Sequence, residues 1–212
     1  WAGADMRMRG FVVGGTAGRT TLNGEGLQHE DGNSHVLALP VPTCVSYDPT
    51  FAYELAVIIE DGIKRMYQDE EQIFYYLTVM NEQYAHPPMP KGAKDGILKG
   101  MYVIKPTGTP KAKLRAQLFG SGTILTEVLK AQEILETKYN VGADVWSVTS
   151  YGNLYKDGHA SMGAFGKYSC EAFVLGDPDF WHYCFDFKLS SDLMWLAARL
   201  RASYPPEAVV AN

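Results

Sequence analysis

Three short apolar runs in the first half of the chain predict buried strands. They are GFVVGG at Gly10–Gly15, CVSY at Cys44–Tyr47 and QIFYYLTVM at Gln72–Met80. The first run is closed by glycines and the third is rich in aromatic and β-branched residues, and both features are typical of strands. Since a helical repeat separates the second run from the third, the order predicts the strand–helix–strand unit of a parallel α/β sheet.

The helical repeat begins directly after the second strand. Asp48 and Pro49 predict its start, with aspartate as the N-cap residue and proline at the first helical position. The apolar positions that follow recur at helical spacing and define one face: Phe51, Leu55, Ile58, Ile59, Ile63 and Met66. We expect this face to pack against the sheet.

A second unit of the same kind begins at LRAQLFGSGT, residues Leu114–Thr123. A strand there runs into a glycine turn, and an amphipathic helix follows over Thr123–Lys138. YNVG at Tyr139–Gly142 predicts the turn that ends this helix, and ADVWSVTS at Ala143–Ser150 predicts the return strand. The pattern as a whole predicts an α/β fold with two open, mostly parallel-sheet units.

Two stretches depart from this pattern. Residues 85–112 are rich in proline, glycine and lysine, and HPPMPKGAKDG at His86–Gly96 predicts no regular element. The basic residues between Lys91 and Arg115 have few aromatic neighbours and form no nucleic-acid motif, which favours a solvated linker. Residues 161–212 are crowded with aromatic side chains and contain one amphipathic helical repeat, over Ser191–Ala202.

Composition indicates an ordinary soluble protein. Of the 212 residues 46% are hydrophobic and 20% are charged, and the net charge of −5 gives no reason to expect nucleic acid. The three cysteines form no CxxC pair, which favours a reducing cytoplasm over a disulfide framework. No apolar run reaches membrane-spanning length. The start, WAGADMRMRG, lacks both an initiator methionine and the apolar core of a signal peptide, and resembles the middle of a domain.

The candidate chemistry lies in LNGEGLQHEDGNSH, residues Leu22–His35. His29, Asp31 and His35 are of types that bind divalent cations, and a metal there would support a hydrolase with a metal-activated water. Their spacing matches no zinc signature, and the glycines equally suit a polar surface loop. The residues alone leave open a metal site, a surface loop and one half of an active site.

A resemblance to one enzyme family covers this stretch and much of the chain. The family is the homodimeric bacterial type of pyruvate dehydrogenase, and the similar sequence begins with GGTAGRTTLNGEGLQHEDGNSH and VSYDPTFAYELAVIIEDG. It continues through YYLTVMNEQYAHPPMPKGAKDGILKGMY and LFGSGTILTEVLKAQEIL to YNVGADVWSVTSYGNLYKDG, and ends near residue 160. The wider relatives are the transketolases, which have an EDG…H version of the same loop.

The resemblance implies an enzyme that uses thiamine diphosphate to decarboxylate pyruvate oxidatively and passes the acetyl group to a lipoyl-bearing acetyltransferase. It divides the chain into part of a pyrimidine-binding middle domain (1–84), the linker (85–112), the start of a transketolase-like C-terminal domain (113–160) and an unrelated tail (161–212). It also implies a cytoplasmic homo-oligomer with no nucleic-acid or membrane partner.

The resemblance further implies which residues form the site. His35 closes the EDG…H pattern, and with Asp31 it is expected next to the substrate, because a histidine suits both charge binding and proton transfer near neutral pH. His29 is a further catalytic candidate. Glu30 and Tyr47 are expected to contact the cofactor.

Two motifs of the family and one of its histidines are not found in this sequence, and their absence affects the expected activity. The family's GDG-type Mg²⁺ motif and its activating glutamate belong to parts upstream of Trp1, so we expect the isolated chain not to decarboxylate pyruvate. Asn33 stands where the family has a second histidine, and an amide cannot carry the proton charge. Two alternatives remain: a non-catalytic binding or oligomerisation module, suggested by the aromatic tail, and a small metal-assisted esterase or lactonase.

Overall fold

Two three-stranded sheets form the frame of the computed structural model, which describes residues 1–15 and 33–165, with side chains as far as residue 158. Residues 1–152 form one unit, and residues from Asn153 onward belong to a second. The elements in chain order are α1 (Ala2–Asp5), β1 (Phe11–Gly14), α2 (Ser34–Ala38), β2 (Cys44–Tyr47), α3 (Ala52–Ile63), a π-helical segment (Lys64–Gln68), β3 (Phe74–Thr78), α4 (Lys94–Lys99), β4 (Met101–Lys105), β5 (Leu114–Gly120), α5 (Ile124–Tyr139), β6 (Val141–Val148) and α6 (Tyr151–Phe165).

The first sheet is parallel and has the order β1-β3-β2. Tyr75 at its centre is fully buried, as are Ile58 of α3 and Met66 of the π-helical segment, which belong to the same core. The predicted strand–helix–strand unit is therefore confirmed. The predicted apolar face is wrong at Ile63, which is half exposed where the helix continues into the π-helical segment.

The start of α3 differs from the sequence prediction. Its N-cap is Phe51, three residues after Asp48. The carboxylate that caps the helix comes from inside it, because Glu54 accepts hydrogen bonds from the backbone N–H groups of Thr50 (2.6 Å) and Phe51 (2.9 Å). Asp48 therefore keeps its carboxylate for other partners at the end of β2.

The second sheet has the order β4-β6-β5, with β5 parallel and β4 antiparallel to β6. Leu125 of α5 and Val145 of β6 are fully buried in its core. Helix α5 ends at Asn140, whose positive φ of 52° supplies the predicted turn. The expected α/β fold with two small, mostly parallel sheets is confirmed.

Helix α4 begins at Lys94, inside the stretch His86–Gly96 that predicts no regular element, so that prediction is wrong at its end, and both α4 and β4 lie within residues 85–112. Ile97 and Tyr102 bury their side chains in the core of the first sheet, although proline, glycine and lysine dominate the surrounding sequence. Gly100 ends α4 with a positive φ of 110°, which lets the chain turn at once into β4. The domain boundaries stay predictions.

Two further expectations from the sequence concern a helix in the tail and membrane-spanning segments. The helix predicted over Ser191–Ala202 lies outside the described residues. Within the described residues, no helix has both the length and the apolar character needed to cross a membrane.

Candidate functional site

Only one of the four candidate residues in the HEDGNSH stretch lies in the described part of the chain. His29, Glu30 and Asp31 lie outside it, and their expected roles stay predictions. His35 lies in the first turn of α2, directly after the exposed N-cap residue Asn33 and Ser34. Its ring packs against Tyr76 of β3, with ring centroids 5.3 Å apart.

His35 lines a cavity of about 310 Å³ within the first unit. The other lining residues come from the ends of β2 and β5 and from the first turns of α5 and α6, and they include Asp48, Phe119, Ser121, Ile124, Ser150 and Tyr151. Parallel α/β sheets place their ligands at the carboxyl ends of the strands, and this cavity has that location. Its volume is at the small end of ligand pockets.

A chain of hydrogen bonds runs from His35 into the protein. His35 Nε2 lies 2.9 Å from Thr78 Oγ1, and the Thr78 hydroxyl donates to Asp48 Oδ1 at 2.5 Å. On the other side of that carboxylate, Ser121 Oγ donates to Asp48 Oδ2 at 2.9 Å. Thr78 is fully buried and Asp48 is nearly so.

The register of the sheet brings these groups together. Tyr47 and Leu77 form the last residue pair between β2 and β3. Asp48 and Thr78 each lie one residue beyond that pair. Ser121 directly follows β5 and joins the second sheet to the same point. Strand β5 can approach α5 closely because residue 120 is a glycine, whose missing Cβ would lie 2.8 Å from Leu125 Cα.

Sequence reasoning missed Thr78 and Ser121 and assigned Asp48 to a helix cap. Thr78 lies 30 positions after Asp48 in the sequence and Ser121 lies 73 positions after it, so no local motif links the three residues. One usable signal exists: each stands at the carboxyl end of a predicted strand, where parallel sheets gather functional groups.

Tyr47, expected on the cofactor side, belongs to the core of the first sheet. Its side chain is 1% exposed, its hydroxyl donates to the Leu98 carbonyl at 2.8 Å, and its ring stacks on Tyr75. The structure does not bring this side chain to the cavity. The expected cofactor contact stays a prediction that this placement does not support.

A second polar cluster surrounds Glu54, which is fully buried between α3 and the second sheet. Besides the two backbone N–H groups at the helix start, its carboxylate accepts hydrogen bonds from Tyr102 Oη and Ser147 Oγ, both at 2.6 Å. Burial and the neighbouring charge of Glu54 raise the pKa of Tyr102 far above its ordinary value. With four donors around it, this carboxylate stabilises the start of α3 and its packing against the second sheet.

The cavity residues suit some ligand groups better than others. Phe119, Ile124 and Tyr151 offer apolar surface to a ring, and His35 offers a polar group at one side. None of the described lining residues is Lys or Arg, and Asp48 contributes a carboxylate. The described residues also contain no group of three or more His, Cys, Asp or Glu side chains that could hold a metal ion. The cavity therefore favours a ring over a phosphate.

Comparison with protein-family models matches two parts of the chain. Residues 1–87 match the middle domain of the pyruvate dehydrogenase E1 component, and residues 100–177 match the transketolase-like C-terminal domain.

Curated relatives with the name pyruvate dehydrogenase E1 component are similar over the same part of the chain. The relative from Pseudomonas aeruginosa is 58% identical over 160 residues, or 76% of this chain. The relative from Escherichia coli is 55% identical over 159 residues, or 74% of this chain. In both cases the chain spans 18% of the relative's own length.

Among solved structures, a transketolase from Campylobacter jejuni superposes with a TM-score of 0.55 at 16% identity. The similarity covers 72% of this chain and 22% of that one, and at this identity it shows the fold alone. The resemblance found in the sequence is confirmed by these comparisons.

Proposed function

We propose that this chain belongs to the pyruvate dehydrogenase E1 family, because 160 of its residues are 58% identical to a relative of that name and residues 1–87 match the family's middle domain. We further propose that it carries the substrate-side part of an active site for oxidative decarboxylation of pyruvate. The whole enzyme would use thiamine diphosphate and pass the acetyl group to a lipoyl-bearing acetyltransferase. By the same family membership we propose a cytoplasmic homo-oligomer.

The observation that carries the proposal is the placement of His35. This residue closes the family's EDG…H pattern, and its ring lines the cavity at the carboxyl ends of the strands. A histidine at that point is able to bind the carboxylate of pyruvate and to move a proton near neutral pH. Asp31 and His29 are proposed to act beside it.

The remaining wall of the cavity supports the same role. Phe119, Ile124 and Tyr151 are suited to excluding water from a small substrate and to packing against a ring. When bound, thiamine diphosphate supplies the electron sink for the negative charge left by loss of CO₂. The protein residues bind, orient and exchange protons.

The described residues fit the ring part of thiamine diphosphate and do not fit its diphosphate. The cavity contains the Asp48 carboxylate, and no lysine or arginine is among its described lining residues. A diphosphate and its Mg²⁺ would need residues outside this described part. We therefore propose that the isolated chain does not decarboxylate pyruvate.

Calorimetric titration of the purified chain in Mg²⁺ buffer tests the proposal, with thiamine diphosphate and thiamine compared side by side. We expect saturable heat from both at similar affinity, because the described lining residues would contact only the ring. His35→Gln should weaken binding of both compounds. His86→Gln is the matched control, since His86 Nδ1 accepts the Ala52 N–H at the start of α3 and does not line the cavity.

Two results would contradict the proposal. If neither thiamine diphosphate nor thiamine gives binding heat, the chain shares ancestry with the family but does not bind the cofactor. Release of CO₂ from pyruvate by the purified chain would contradict the expected inactivity.

A second candidate function, a binding or oligomerisation module, is favoured by apolar side chains on the surface. Val12 and Val13 are exposed on β1, an edge strand, and Val36 and Leu37 are exposed on α2. Light scattering tests this candidate, because a clean monomer across the concentration range would contradict it. The metal-assisted hydrolase rests on His29, Asp31 and His35 together, and of these only His35 lies in the described part of the chain.

A further inference from the structure

Thr78 stands between His35 and two groups that can only accept hydrogen bonds. Its Oγ1 lies 2.5 Å from Asp48 Oδ1, 3.3 Å from the Tyr47 carbonyl oxygen and 2.9 Å from His35 Nε2. The carboxylate is the nearest of the three, and it is also the strongest acceptor. The direction of the bond between Thr78 and His35 follows from this arrangement.

A threonine hydroxyl has one proton to donate. At 2.5 Å from a carboxylate, that proton lies on the bond to Asp48 Oδ1. Only lone pairs of Oγ1 then face His35, so His35 Nε2 must be the donor. A histidine whose Nε2 donates is either the charged imidazolium or the neutral Nε2–H tautomer.

We infer that Thr78 and Asp48 are positioning residues that hold His35 in its Nε2–H form. In this arrangement the acceptor strength of Asp48 is transmitted to the imidazole through one hydroxyl group. It resembles in logic the carboxylates that fix the tautomer of a catalytic histidine, with a threonine inserted between the two.

Ser121, at the end of β5, connects the second sheet to the Asp48 carboxylate. Its single hydroxyl proton has two acceptors at nearly equal distance, Asp48 Oδ2 at 2.9 Å and the Val148 carbonyl oxygen at 2.8 Å, and the carboxylate is the stronger of the two. Both oxygens of Asp48 are therefore engaged by hydroxyl donors, one from each sheet. Ser121 thus fixes the carboxylate that orients Thr78, although it belongs to the half of the chain that matches the C-terminal domain model.

The catalytic meaning of this inference rests on the proposed function, because it is there that His35 acts on a substrate. The assignment of the tautomer does not rest on the proposed function, since the tautomer is observable in the chain without cofactor. Failure of thiamine binding and failure of the tautomer assignment are thus separate results.

Nuclear magnetic resonance of the full chain with ¹⁵N-labelled histidine tests the inference. Long-range ¹H–¹⁵N correlations above about pH 8, where an ordinary histidine is neutral, report which ring nitrogen carries the proton. The chain has five histidines, and His35→Gln identifies the signals of His35. We expect a single Nε2–H tautomer and a ring N–H signal that persists because its proton exchanges slowly with water.

Three variants separate positioning from general stability. Thr78→Val keeps the shape of the side chain and removes the hydroxyl, so the ring N–H signal should be lost and the two tautomers should mix. Thr78→Ser keeps the hydroxyl and should restore the wild-type spectrum. Thr123→Val makes the same change at another buried threonine, whose hydroxyl has no partner among the described residues, and should leave His35 unchanged.

The inference is overturned if Thr78→Val leaves the tautomer and the ring N–H signal of His35 as they are in the wild type. It is also overturned if the wild-type chain shows the Nδ1–H tautomer or an even mixture. This second measurement needs no variant, so it decides the question even if Thr78→Val does not fold.

Discussion

Glu54 on α3 and Ser147 on β6 are joined by a 2.6 Å hydrogen bond across 93 positions of sequence. The same carboxylate accepts the Tyr102 hydroxyl of β4 and two backbone N–H groups at the start of its own helix. One side chain therefore caps α3 and ties it to two strands of the second sheet.

Replacing Glu54 with alanine should destabilise the chain strongly. The substitution leaves four donors without their acceptor at a fully buried site. Since each unsatisfied buried donor costs about 1–3 kcal/mol, we expect the four together to lower the free energy of unfolding by at least about 4 kcal/mol in urea denaturation.

Glu60→Ala is the matched control on the same helix. The Glu60 side chain is mostly exposed and pairs with the exposed Lys94 at 2.7 Å, and solvent screens such a surface ion pair so that it contributes little to stability. Equal losses for the two variants would show that the buried carboxylate has no special role.

Alkaline pH should destabilise the chain through tyrosines that are wholly or partly buried. Burial raises the pKa values of Tyr53, Tyr75 and Tyr84 to about 12, against about 10 in the unfolded chain. A group whose pKa is raised by folding contributes stability that is complete below pH 10 and is lost as pH rises toward 12. The free energy of unfolding, measured in urea at a series of pH values, should therefore decline across that window.

Single tyrosine variants test the source of this decline. Tyr53→Phe removes one of the partly buried phenols and should make the decline shallower. Tyr139→Phe removes an exposed phenol and should leave the slope unchanged. A slope that neither variant alters would contradict the assignment.

Gly120→Ala should disrupt the packing of β5 against α5. A Cβ at this position would lie 2.8 Å from Leu125 Cα and 3.0 Å from Val128 Cγ2, and the backbone atom cannot move without shifting the helix. We expect a loss of about 2–3 kcal/mol in the free energy of unfolding.

A second glycine gives the comparison for this substitution. Gly3→Ala places a Cβ 3.1 Å from the end of the flexible Met8 side chain, in a short helix that favours alanine. Its effect should stay within about 0.5 kcal/mol. A Gly120→Ala variant as stable as the wild type would contradict the close approach of β5 to α5.

Thr123→Val should stabilise the chain. Thr123 is 1% exposed, and its hydroxyl has no hydrogen-bond partner among the described residues, so removing the hydroxyl relieves a desolvation cost. We expect a gain of about 1 kcal/mol by thermal unfolding. The neighbouring Thr126→Val should have the opposite sign, because the Thr126 hydroxyl donates to the Thr123 carbonyl at 2.7 Å.

Much of the fold follows from local sequence pattern. Strand β2 matches its predicted bounds, and α5 differs from its prediction by one residue at each end, because their apolar repeats are clear and their ends carry turn residues. Strand β4 was missed because it follows a proline- and lysine-rich stretch, and its burial depends on pairing with β6, more than 35 residues later. The cap of α3 was misassigned because local rules favour Asp48, whereas the distant hydroxyls of Tyr102 and Ser147 help to hold Glu54 at the cap.

The site was less accessible to sequence reasoning than the fold. His35 was singled out through a family pattern, and the structure places it at a cavity. Its partners Thr78 and Asp48 are common residue types with no motif around them. Their proximity is set by the register of two parallel strands, which no short stretch of sequence encodes.

The strand order has a consequence for the synthesis of the chain. In each sheet the central strand is the last one translated: β3 follows both β1 and β2, and β6 follows both β4 and β5. Among the described strands, an emerging chain therefore holds two outer strands with no partner between them until residue 78, and again until residue 148, has left the ribosome. Each sheet then closes in one step around its final strand, so a ribosome that pauses before either point exposes two unpaired edges to association with other chains.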